Sequence, residues 1–154
     1  MPSKASATAT PLQASARPGH PSGTRPAKVA DRDVFRRLVR DLAPASPSER
    51  KFVLAEIHDL LARLDKDGFR DAMEADPGVK ALSPFKANYL CGMVEFTARR
   101  IGVRAPSWTQ AVRPLDEPWF ATDLRSLRLH LLASSPVPFR RRNIFIDSTV
   151  GSRV

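Results

Sequence analysis

The chain has 154 residues, 42% of them hydrophobic, enough for one domain with a buried core. Its formal net charge of +9 and pI near 10.8 favour an acidic partner: nucleic acid, an anionic surface or an acidic protein. A single cysteine, Cys91, rules out an internal disulfide and suggests a reducing, cytoplasmic setting, and no apolar run reaches the roughly 18–20 residues a membrane-spanning helix requires.

Residues 1–30 are rich in Ala, Pro, Ser and Thr and carry four Lys/Arg and no Asp/Glu. So few large apolar side chains cannot offset the entropy of ordering the segment, which reads as a disordered basic tail. Residues 31–154 are expected to form a single all-α domain of about four to six helices with an irregular C-terminal segment.

The first helix is expected from Asp31 to Leu42. Phe35, Leu38, Val39 and Leu42 form its apolar stripe, and Arg36, Arg37 and Arg40 lie on the other side. The second has a strong start signal: Ser46 as cap, Pro47 in the first helical position and Glu49 closing a capping box. Val53, Ile57, Leu60, Leu61 and Leu64 follow at helical spacing, and Gly68 marks its end or a break. A short helix resumes from Phe69 to Ala75, before a turn at Asp76-Pro77-Gly78.

The third long helix opens the same way, with Ser83 and Pro84. Phe85, Tyr89, Met93 and Phe96 form one stripe, and Leu90, Val94 and Ile101 a second beside it. Apolar groups cover most of its circumference, as expected of a central buried helix, and Gly102 is a natural C-cap. Beyond Val103, prolines punctuate the chain. Ser107 with Gln110 suits one turn of helix. A further helix is expected from Asp123 to Ala133, capped by Thr122, with Leu124, Leu127 and Leu131 inward. Ile144-Phe145-Ile146 is compatible with either a strand or an extended arm.

Few patterns carry chemistry. Asp65, Asp67, Gly68, Asp71 and Glu74 match part of a calcium loop, but Arg63 falls at the first ligand position, where a cation opposes calcium. Cys91 lies in an apolar helix with no Cys-His signature nearby, and reads as a core thiol. His20, His58 and His130 lack metal-ligand spacing. Glu95, the one acid in the buried helix, is expected to face solvent or to pair with Arg99. There is no phosphate-binding glycine loop, no nucleophile elbow and no C-x-x-C. A non-enzymatic protein without catalytic residues, cofactor or metal is therefore expected.

The basic C-terminal segment stands out. Arg125 and Arg128 share a helix face, and Arg140, Arg141 and Arg142 follow, with Phe139 and Phe145 beside them. Arginine forks bind phosphates or carboxylates, and interleaved aromatics stack on bases or anchor protein interfaces. A solvated basic edge, a protein interface and a nucleic-acid interface all fit this composition.

The ordered series "FTARRIGVRAP", "SWT", "LDEPWF" and "LRLHLLASSPVPFRRRNIFID", spanning roughly residues 87–148, resembles small bacterial proteins that act as antitoxins beside nucleotidyltransferase toxins of the AbiEii type. The resemblance implies a non-catalytic protein that docks on its toxin. It carries over to Trp108, Glu117, Pro118, Trp119, Phe120, Ser135, Pro136, Phe139, Arg141, Arg142, Asn143, Ile144 and Phe145. The expected partner-binding set is Trp108, Trp119, Phe120, Arg125, Arg128, Phe139, Arg140, Arg141, Arg142, Asn143 and Phe145. The alternative is a nucleic-acid-binding regulator using the same basic segment. The winged-helix module of some antitoxins is not evident, which leaves operator binding unsupported.

Overall fold

The computed structural model describes residues 26–148, and the chain is mostly helical there. The basic tail expected over residues 1–30 falls, up to residue 25, outside the described residues. Helix α1 (Pro26–Leu42) begins five residues before the expected start. Its stripe of Phe35, Leu38, Val39 and Leu42 is fully inside, packed on α2 and α3, and Arg36, Arg37 and Arg40 are exposed.

Helix α2 (Pro47–Arg63) carries the expected capping box. Ser46 Oγ accepts from the Glu49 N–H, and the Glu49 carboxylate accepts from the Ser46 N–H at 2.9 Å. Each bond satisfies a donor that the first helical turn leaves orphaned. The helix stops at Arg63, before Gly68. Asp65 starts a new helix, α3 (Lys66–Met73), by accepting the Gly68 N–H at 2.6 Å. Gly68 is thus in the first turn of α3 and not a break. A side-chain cap three residues upstream overrides the glycine as a boundary signal.

After a 3-10 turn (Val79–Ala81), helix α4 (Pro84–Ile101) runs through the centre. Leu90, Cys91, Val94 and Ala98 are buried, and Gly102 closes the helix in the left-handed region at φ 70°. The short helix α5 (Ser107–Gln110) follows. Strand β1 (Trp119–Phe120), helices α6 (Arg125–Ser134) and α7 (Val137–Arg140), and strand β2 (Ile144–Phe145) complete the described chain. The two strands pair in parallel, Trp119 opposite Ile144 and Phe120 opposite Phe145. The run Ile144-Phe145-Ile146 is therefore buried, its first two residues forming a short strand, and is not an arm. Among the described residues the helices number seven, one more than the upper expectation, the addition being α7, a single turn that Pro136 and Pro138 open. No helix among them is long and apolar enough to cross a membrane.

Candidate docking surface and the buried arginine that supports it

The C-terminal segment divides into a buried half and an exposed half. The buried half is organised by Arg142. The α7 turn delivers it to the interior, and Asn143 then reverses the chain with a left-handed φ of 58°, a region that asparagine tolerates better than most residues. The Asn143 side chain donates to the Leu115 carbonyl at 2.7 Å. Arg142 bonds Glu95 at 2.5 Å, the Thr109 carbonyl at 2.8 Å, Asn88 Oδ1 at 3.1 Å and, more weakly, the Val112 carbonyl at 3.4 Å. Its side chain is only 6% exposed, so one guanidinium ties α4, α5 and the α7–β2 turn together. Glu95 accordingly neither faces solvent nor pairs with Arg99. Its carboxylate neutralises Arg142, the one buried arginine among the described residues, since a buried charge left unpaired is far costlier than a surface one.

Other members of the expected binding set are also internal. Trp108 is buried, and its indole N–H donates to the Met73 carbonyl at 3.0 Å, tethering α5 to the end of α3. Phe139 packs on Gly92, where a methyl group would stand 2.7 Å from the ring, and meets Tyr89 edge-on at 5.4 Å. Phe145 stacks on Phe120 at 4.9 Å. As folded, Trp108, Phe139, Arg142 and Phe145 offer almost no surface to a partner. Aromatic and arginine side chains serve both interfaces and interiors, so composition alone does not separate the two.

The exposed half lies on β1 and α6. Trp119 and Phe120 are half-buried: Trp119 rests on Phe85 at 4.7 Å, and the Arg128 guanidinium covers the outer Phe120 ring at 5.0 Å. Thr122 does not cap α6. Its hydroxyl accepts from the Leu124 N–H at 3.2 Å, and the helix begins one residue later without a side-chain cap. Every position from 123 to 130 is exposed. Leu124 and Leu127, expected inward, face solvent at 62% and 45%, and Leu129 reaches 75%. Leu131 alone of the predicted inner residues is buried. The reason is where α6 is anchored. Ser135, just past its end, accepts the Ile146 N–H at 2.8 Å and lies within donating distance of the Leu131 and Ile146 carbonyls, fixing the C-terminal end to β2 and leaving the rest projecting.

The result is a projecting ridge formed by the exposed start of α6, around which Leu124, Leu127, Leu129 and Leu132 are spread with Arg125 and Arg128 among them. These four leucines and Phe52 are the exposed large hydrophobic residues among those described. Neither Arg125 nor Arg128 has a carboxylate partner among the described residues. Arg140 and Arg141 are exposed at the end of α7, away from the inward path of Arg142. The three consecutive arginines therefore do not act as one cluster.

The remaining reactive side chains take structural settings. Burial pushes the Cys91 thiol up to about 12, so it is protonated near neutrality and a poor nucleophile. The half-buried His58 sits 3.7 Å from Asp59, and the exposed His130 3.5 Å from Asp147. Among the described residues no group of three or more His, Cys, Asp or Glu could hold a metal ion. No protein-family model, curated protein or solved structure matches this chain.

Proposed function

We propose that this protein is a non-catalytic binding protein that docks on a partner protein through the α6–β1 ridge. The single observation that carries the reading is the solvent-facing leucine run on α6. Three large exposed apolar side chains on one ten-residue helix, with a fourth at the residue before it, are unusual on a surface that has no use for them. Leu129 and Leu132, one helical turn apart, would supply the apolar anchors, with Phe120 beside the helix. Arg125 and Arg128 select the partner's chemistry: an apolar groove edged by carboxylates. Leucine anchors favour protein over nucleic acid, whose contacts are dominated by phosphate and base.

The resemblance in residues 87–148 makes the partner a nucleotidyltransferase-type toxin and the protein its antitoxin, acting by occluding the enzyme. The test is co-expression with the product of the adjoining reading frame. A stable complex lost in Leu129→Asp/Leu132→Asp, with unchanged circular dichroism, is the expected result. A complex indifferent to that double change rejects the ridge. Absence of any complex, with log-linear salt-sensitive binding to duplex DNA or RNA instead, favours the nucleic-acid reading.

A further inference from the structure

A cavity of about 430 Å³ lies beside the C-terminal half of α4, and none of its lining residues belongs to α6. Its charged and polar walls are Glu95, Arg99, Gln110, Arg141 and Arg142. Glu95 is occupied by Arg142, so the wall carries three guanidinium groups against one carboxylate. Arg99 and Arg141 are exposed and form no ion pair among the described residues. Arg142 Nε is buried and has no hydrogen-bond partner, though every other nitrogen of that side chain is engaged. That nitrogen is closed to solvent, so Arg142 lends charge to the wall, and the donors an anion can reach are those of the exposed Arg99 and Arg141. The rest of the lining is apolar, including Ala98, Val103 and Val112.

We propose that this cavity binds a small phosphate monoester, its dianion held by Arg99 and Arg141 beside the charge of Arg142 and its organic portion on the apolar wall. The excess of two positive charges matches a phosphate dianion better than a single carboxylate, and arginine forks suit phosphate oxygens. A bare phosphate would leave most of the volume empty, which is why an ester with a compact apolar body is the class inferred.

Phenyl phosphate, inorganic phosphate and benzoate serve as probes, titrated at pH 7.5 and fixed ionic strength by calorimetry and by amide chemical-shift mapping. Phenyl phosphate is expected to bind most tightly, with shifts at Arg99, Gln110, Val112 and Arg141. Arg99→Ala/Arg141→Ala should weaken it about a hundredfold, at about tenfold per charge-assisted contact. Arg36→Ala/Arg37→Ala, which removes the same charge from exposed sites on α1, should leave it unchanged. Both pairs are on the surface, so folding is not at stake. Equal loss in both pairs would reduce the effect to general electrostatics and overturn the site. Benzoate binding as well as phenyl phosphate would overturn the phosphate assignment, and no saturable binding by any probe would overturn the proposal outright.

Discussion

At the residue scale, Arg142 is the position on which the C-terminal half depends. Replacing it with alanine leaves the Glu95 carboxylate, the Thr109 carbonyl and the Asn88 side chain without their donor. Breaking one side of a buried pair costs about 3–5 kcal/mol. Arg142→Ala should therefore lower stability by that order in urea unfolding, and a change under about 1 kcal/mol would mean that the guanidinium is not internal. Gly92 gives a second test. Alanine ordinarily favours a helix over glycine by about 1 kcal/mol, yet here its methyl would overlap the Phe139 ring, and overpacking costs about 1–3 kcal/mol. Gly92→Ala should destabilise on balance, as read by thermal unfolding; stabilisation would show that α7 does not press on α4. Cys91 should resist alkylation by iodoacetamide at pH 8 until denaturant is added, because burial holds its thiol protonated to about pH 12. These roles were only partly legible in sequence. Cys91 in an apolar helix read correctly as a core thiol. Arg142 and Trp108 read as surface contacts, because their partners Glu95 and Met73 lie 47 and 35 residues away, beyond any local pattern.

At the element scale, start signals were read best. The Ser46-Pro47-Glu49 and Ser83-Pro84 openings and the Gly102 stop all mark helix ends where local chemistry decides the boundary. The capping box also has a pH signature. Hydrogen bonds from the Ser46 side chain and backbone hold the Glu49 carboxyl below its usual 4.5. A depressed folded value means that the contribution is present above pH 4.5 and lost as pH falls through the lower folded value. The stability difference between wild type and Glu49→Gln should thus shrink steadily in unfolding series taken below pH 4.5. Constancy down to pH 2 would show that the box does not form. Helix α6 departs from its sequence pattern for a different reason. Its leucines at 124, 127 and 131 have inward periodicity, but periodicity marks a stripe without saying that anything covers it. Only the Ser135–Ile146 clasp, a contact across eleven residues, decides which end is held.

At the scale of the molecule, the apolar stripes of α1, α2 and α4 close into one core, and the C-terminal segment is fastened to it by Arg142, Phe139 and β2. What projects is the front of α6 with the Phe120–Arg128 pair beside it. The domain's mostly helical character follows from its stripes and caps. The division of the candidate site into an internal brace and an external ridge did not, since both are written in the same arginines and aromatic rings. Hydrogen–deuterium exchange, on the free protein and on its complex with the adjoining gene product, tests the central claim most directly. Fast exchange over residues 124–130 in the free protein, and protection on binding concentrated over residues 119–132, is the predicted result. Slow exchange of that stretch in the free protein, or binding protection confined to α1 and α2, would contradict it.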